Sequence, residues 1–353
     1  MEKFACTRCG FAVYFENVQC LNCKSPLGFL PDRRQVVALA PTGSGRSYKI
    51  AGKIAGRQAP ARPLAYCANA EHGACNWLTE AQAAPALCTA CMLNRTIPNL
   101  ADNGSLEAWR ELERAKKRLV YSLLRYKLPL DATRWGKGRL AFDFMKDTTT
   151  GHLNGVITID IAEADAVERV RQRQLFGEPY RTLLGHLRHE SGHFYWMVLI
   201  EAAGRLEGFR LLFGDEREPY GDALARHHAN GPPADWEKKH VSAYASAHPW
   251  EDWAETWAHY LHLVDAIDTA EAEGVKYRRD RGAAWLMFPT PAYDSYAYVN
   301  FDDLMKRWIN LTIAINSLTR SIGRADFYPF VVPAAAYQKL EFVHHVVHGK
   351  RPQ

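Results

Sequence analysis

The sequence predicts an α+β chain: small cysteine-rich modules at the N-terminus, then a mainly helical domain carrying a small β-sheet. Three observations predict it. All eight cysteines fall between Cys6 and Cys91. Helix-periodic runs dominate from Ser105 onward, and the run Gly155-Val156-Ile157-Thr158-Ile159-Asp160-Ile161 is β-branched and alternating, as a half-buried strand is. The 353 residues are 47% hydrophobic and 24% charged, an ordinary globular composition with enough apolar matter for a sizeable core. We expect three units, at residues 1–30, 31–100 and 101–353.

The cysteines form two groups. Cys6, Cys9, Cys20 and Cys23 read C-x2-C-x10-C-x2-C, and Cys67, Cys75, Cys88 and Cys91 read C-x7-C-x12-C-x2-C. Thiols two residues apart reach one tetrahedral ion, and four thiolates make a closed structural zinc site. The wider first pair of the second group leaves room for His72 to replace one thiol. Neither group can bury a core of its own, so metal binding must supply folding energy, on the order of 10 kcal/mol. Disulfides would need an exported chain, and Met1-Glu2-Lys3 leads into no apolar signal. No run approaches the roughly 20 apolar residues that span a bilayer. A cytoplasmic protein without membrane contact is expected. The net charge is +5, but the cations form no long run, and the cysteine modules show no aromatic-basic stripe. No nucleic-acid partner is therefore expected; a protein partner through the ribbons stays open.

Along the chain, Gln35 to Leu39 is β-like. Ala40-Pro41-Thr42-Gly43-Ser44-Gly45-Arg46-Ser47 imitates a phosphate-binding loop, but Arg46 stands where that chemistry needs lysine, and the pattern's first glycine is missing. Only 43 residues separate Cys23 from Cys67, too few for a nucleotide-binding domain, so a glycine-rich turn is expected. Helices are expected from Ser105, as N-cap, to Leu124, over Ala164–Gln174, acidic then basic, and over Tyr180–Ala203. Further helices are expected over Pro233–Tyr244, Pro249–Asp265, Phe301–Ile322 and Pro333–Val347.

Within the Tyr180–Ala203 helix stands His189-Glu190-Ser191-Gly192-His193, an H-E-x-x-H motif. Positions i and i+4 lie one above the other on a helix, so both imidazoles can bind one zinc, with Glu190 beside it as general base. The alternative is a histidine pair on a solvated or core face. His186, His227, His228 and His240 have no ligand-like spacing and read as surface or supporting residues. A catalytic zinc needs a third protein ligand and a position for water. The segment His248 to His262 offers it: Pro249, Glu251 and Asp252 suit a first helical turn, and Asp252, Glu255, His259 and His262 then share a face. Tyr244 and His248, just before this helix, are candidate donors to the oxyanion of a hydrolysed carbonyl.

Over Cys6–Cys23, Gly155–Asp160, Arg181–Glu190 and Pro249–Leu263 the chain resembles the zinc-binding metallopeptidases that carry an N-terminal zinc ribbon. The resemblance implies a zincin-like architecture, peptide hydrolysis on a peptide or protein substrate, and Zn2+ as cofactor, one catalytic ion beside two structural ones. Glu255-Thr256-Trp257-Ala258-His259 is similar to the E-x-x-A-D helix of glutamate-type zincins, where the glutamate is the third ligand and the aspartate orients an imidazole; here His259 replaces that aspartate. The analogy also makes the strand Val156–Ile161 the upper edge of the cleft. Among the residues of this helix, Glu255 is the expected ligand. It sits between Trp253 and Trp257, and Ala254 and Ala258 beside it allow a close approach to the H-E-x-x-H helix. Asp252 and His259 are expected to support the ligands by hydrogen bonds.

Overall fold

The structure is a computed structural model that describes residues 2–43, 46–54, 62–83, 85–175, 182–275 and 293–350. Ser44 and Gly45 of the glycine-rich turn, and Tyr180 and Arg181 at the expected start of the motif helix, lie outside them.

The N-terminal region is β-rich. Strands β1 (Phe4–Ala5) and β2 (Ala12–Val13) pair as a hairpin. β3 (Leu27–Leu30), β4 (Gln35–Pro41), β5 (Tyr48–Ile50), β6 (Leu64–Tyr66) and β7 (Leu78–Glu80) form an antiparallel sheet in chain order. β4 is the β-like run seen in the sequence; Val36 to Leu39 are all buried, as both its faces are covered. This sheet runs without a break across residue 30, and Phe29 bridges to Trp77.

Both cysteine groups close as the spacing requires. The Sγ atoms of Cys6 and Cys23 lie 3.6 Å apart, those of Cys9 and Cys20 3.7 Å, and those of Cys75 and Cys88 3.7 Å. A tetrahedral ion with zinc–sulfur bonds of about 2.3 Å spaces its sulfurs by about 3.8 Å, whereas a disulfide needs about 2.05 Å. The residues fit zinc. All eight thiols are free of disulfides, and His72 is not part of the second group.

Helix α1 (Ser105–Arg125) joins this region to the rest. Gly104, at φ 76°, turns the chain into it, so Ser105 is its first residue and not its cap. Its apolar stripe includes Trp109, Leu112, Leu119 and Tyr121, and Tyr121 packs on Phe15 with ring centroids 5.4 Å apart. The same helix pushes three charges into the interior. Glu113 Oε1 lies 2.6 Å from Lys116 Nζ, and its Oε2 lies 3.5 Å from Lys117 Nζ and 3.7 Å from Cys91 Sγ. Two buried ammonium groups against one carboxylate leave a net positive charge, which a low-dielectric interior penalises heavily. A zinc ion held by the four thiolates of Cys67, Cys75, Cys88 and Cys91 would carry two net negative charges beside them, so the lysines and the second cysteine site would stabilise each other.

A second sheet lies beyond α1. Its order is β10 (Gly151–Leu153), β11 (Val156–Asp160), β9 (Ala141–Met145), β8 (Asn94–Thr96), with β10 antiparallel to β11 and the other pairs parallel. Asn154 and Gly155, at φ 50° and 88°, make the tight two-residue turn from β10 to β11. The expected strand is thus β11, but it lies inside the sheet; β10 is the edge. This corrects the expectation that Val156–Ile161 forms the rim of the cleft.

The remaining elements are helical: α2 (Ala166–Leu175), α3 (Leu183–Trp196), α4 (Leu206–Phe213), α5 (Tyr220–Asn230), α6 (Pro249–Ala272), α7 (Phe301–Ser321) and α8 (Ala334–Val347). After Trp196 the motif helix widens for one turn, Met197–Glu201, with i→i+5 hydrogen bonding, and Gly204 ends the run. The helix expected over Pro233–Tyr244 does not form; single tight turns stand at Trp236–Lys238 and Tyr244–Ser246. The segment Pro233–Tyr244 has no apolar stripe at helical spacing to bury, so nothing stabilises it as a helix. α5, just before it, was not expected. Among the described residues no helix is long and apolar enough to cross a membrane.

Candidate active site

The site is made where α3 crosses α6. Thr182 Oγ1 accepts from Gly185 N at 3.0 Å and caps α3. Both middle residues of the motif serve the crossing. Gly192 lies against Ala254, its carbonyl accepts from Trp253 Nε1 at 2.8 Å, and Ser191 Oγ accepts from Trp257 Nε1 at 3.1 Å. The tryptophans that enrich α6 therefore fix the height at which it passes the two histidines.

At that height the residue facing them is Glu251. Its Oε2 lies 3.0 Å from His189 Nε2 and its Oε1 3.6 Å from His193 Nε2, and one donor atom from each of the three lies within 4.8 Å of the others. Tyr220 OH donates to Glu251 Oε1 at 2.8 Å, while Oε2 is buried without a hydrogen-bond partner. Two imidazole nitrogens and an orphaned carboxylate oxygen converging on one buried point are the donor set of a zinc site.

Glu255 stands elsewhere. Its Oε1 lies 2.7 Å from His189 Nδ1 and its Oε2 accepts from Ser242 Oγ at 2.6 Å. It holds the back of the His189 ring and so fixes the orientation in which Nε2 faces Glu251. The geometry so departs from the expectation for Glu255: Glu251, one turn earlier on the same face, takes the place beside both Nε2 atoms. Asp252 accepts from Lys339 Nζ at 2.5 Å and faces His240 Nδ1 at 3.1 Å, tying α6 to α8. His259 Nδ1 meets Tyr328 OH at 2.7 Å. Neither bonds a member of the histidine–glutamate cluster.

Charges follow this arrangement. Burial disfavours the charged form of His189, but the carboxylates of Glu251 and Glu255 outweigh it and hold its pKa well above the ordinary value. Burial works against ionised Glu251 too, yet His189 and His193 bring its pKa down to about 2. Glu255 is brought to about 2 against the same burial, chiefly by His189. His193, buried and next to His189, is shifted down. Both carboxylates are thus held in the anionic form.

Glu190 is not part of the cluster. Its Oε1 lies 4.0 Å from His186 Nε2, and His186 Nδ1 is held at 2.5 Å by the buried Glu163. His186, expected at the surface or in support, backs the motif's glutamate. Tyr244 places its ring 5.9 Å from that of His189. His248 is no donor to the cleft: its Nδ1 accepts from Trp250 N at 3.1 Å, capping α6, and its Nε2 faces Glu218 O at 3.1 Å. Sequence reasoning also passed over Tyr220 and over His152 on β10. The His152 ring stacks on that of His193 at 5.9 Å, and burial, with His193 beside it, pushes its pKa down to about 3.

Two tetrathiolate groups and a buried histidine–glutamate cluster define a zinc-binding protein. Residues 105–346 match the sequence profile of the family described as "Putative zinc-binding metallo-peptidase", and residues 3–102 match that of a zinc-ribbon domain. The chain belongs to this zinc-binding metallopeptidase family. A protein of Mycobacterium tuberculosis and one of Mycobacterium bovis, each described as uncharacterized, are 38% identical to it over 358 residues, covering 100% of this chain and 97% of their own. No solved structure matches it.

Proposed function

We propose that the protein is a zinc-dependent peptidase that binds its catalytic ion through His189, His193 and Glu251 and uses Glu190 as general base. One observation carries the reading: Glu251 joins the two Nε2 atoms, while Glu190, between the two histidines in sequence, is left out of that set. A purely structural site would not need this second carboxylate.

Bound there, zinc acidifies water toward neutrality and polarises the scissile carbonyl. Glu190 takes the proton of the attacking water and returns it to the leaving amine. Glu255 keeps His189 in the tautomer that presents Nε2. Tyr244, beside His189, offers its hydroxyl to the carbonyl oxygen. β10 is the edge strand of its sheet, so an extended peptide can add to it through backbone hydrogen bonds, the substrate running past His193. The two tetrathiolate sites each take one structural ion, giving three zinc ions per chain. A cytoplasmic location remains the expectation from sequence.

The test is a peptide-library digest by the wild type and by Glu190→Gln, with zinc measured in both. The wild type should cleave peptides, and the variant should lose hydrolysis while keeping its zinc. A variant that still hydrolyses, or a wild type that cleaves nothing with its three sites filled, would overturn the reading.

A further inference from the structure

His152 has one ring nitrogen in a hydrogen bond and, among the described residues, one without a partner. Gly155 N donates to its Nε2 at 3.0 Å across the Asn154-Gly155 turn. An imidazole nitrogen that accepts a hydrogen bond presents a lone pair, so in the neutral ring the proton sits on Nδ1. The hairpin thereby fixes the tautomer. Among the described residues Nδ1–H has no hydrogen-bond partner, and it is not among the fully buried polar atoms. The ring lies nearly parallel to that of His193, 21° between planes and 5.9 Å between centroids, which puts it beside one member of the metal-binding cluster, on the strand where a peptide would lie.

We propose that His152 is a catalytic residue of the peptidase reaction, its Nδ1–H donating a hydrogen bond to the scissile carbonyl oxygen as negative charge builds there. The assignment rests on the peptidase reading. The proton stays on His152 throughout; its contribution is a donor already held in one tautomer when the oxygen becomes an anion, and such donors act most strongly in a site shielded from water. A ligand role is excluded by the same turn. Binding an ion through Nδ1 would move the proton to Nε2, where it would oppose the Gly155 N–H. His152 works with Tyr244, one donor beside each zinc-binding histidine.

The competing role is to hold the turn. Two substitutions separate them, because an asparagine amide nitrogen falls near the Nδ1 position and a glutamine oxygen near Nε2. His152→Gln keeps an acceptor for Gly155 N, and His152→Asn keeps a donor in the cleft. On a peptide cleaved by the wild type, His152→Ala and His152→Gln should lower kcat about 10²- to 10³-fold with KM little changed, and His152→Asn should recover at least about tenfold of that. Zinc content and thermal melting should match the wild type. Nitrogen-15 NMR of the full chain, with no substrate present, should show His152 protonated at Nδ1. Protonation at Nε2, or rescue by glutamine and not asparagine, would overturn the proposal. Should His152→Ala stay fully active while Glu190→Gln is dead, the His152 assignment alone falls. Should the wild type cleave nothing, the peptidase reading falls and takes this one with it.

Discussion

Gly192→Ala is the sharpest test of how the site is assembled. A Cβ at Gly192 would lie 2.9 Å from Ala254 Cα, 3.2 Å from Trp257 Cδ1 and 3.3 Å from Trp257 Cβ. Carbon atoms rest at about 3.5–4.0 Å, so α6 must retreat by roughly 0.6–1 Å, because the nearest atom is backbone and has no rotamer to change. Alanine favours a helix over glycine by about 1 kcal/mol, and overpacking costs about 1–3 kcal/mol. The net loss is about 1 kcal/mol, a fall in Tm of roughly 2–4 °C for a domain of this size. The site is far less tolerant. Glu251 rides on α6 three residues before Ala254 and moves with it, whereas metal–ligand distances tolerate only about 0.2 Å. Zinc affinity at this site should fall at least about tenfold, measured by competition with a chelating dye, while the cysteine sites hold theirs. Wild-type affinity together with an unchanged or raised Tm would refute the argument that this crossing positions Glu251.

Glu251→Gln should empty the histidine site, and Glu255→Gln should only weaken it, by about 10- to 100-fold; the reverse order, read by elemental analysis, would return the ligand role to Glu255. Cys6→Ser and Cys67→Ser should each remove one of three zinc ions, counted the same way, and a count of one that survives both would end the two-ribbon assignment. Stability should also fall in acid through buried neutral histidines. His344, between Tyr260 OH and Val299 O, is pushed by burial to about 4 in the fold, against about 6.5 when unfolded. The unfolded chain therefore binds the proton first, and stability is lost as pH falls from about 6.5 toward 4. His344→Gln should start lower at neutral pH but decline less over that window in urea titrations; an equally steep decline would acquit this histidine.

What the sequence disclosed depended on how local the signal was. Both cysteine groups and the H-E-x-x-H helix are short-range patterns, and α1, α3, α6, α7 and α8 carry apolar periodicity, so all of these were legible. The choice between Glu251 and Glu255 was not. They lie one turn apart on one face of α6, and the acid of a first turn is already explained by the helix dipole. Only the crossing point, Gly192 on Ala254, brings Glu251 beside both Nε2 atoms, and that contact joins residues 62 positions apart. His248 looked like a donor because a capping histidine and a free one read alike in sequence. His152 was missed for a different reason: β10 has only three residues, yet Asn154-Gly155 between two short runs is a strong hairpin signal and would have placed this histidine on an edge strand.

The lysines beneath the second cysteine site give the protein a timetable. Lys116 and Lys117 enter the interior on α1, and α1 is also the wall on which α3 rests. Until the thiolates of Cys67 to Cys91 hold their ion, those two charges oppose the docking of α1, and the histidine cluster has no finished scaffold. The cysteines leave the ribosome before the histidines, so on the proposed reading the structural ion would be bound before the catalytic one. A chain made under zinc scarcity should therefore stall as an unassembled precursor and not circulate as a folded protein with an empty cleft, ready to be filled by the wrong metal.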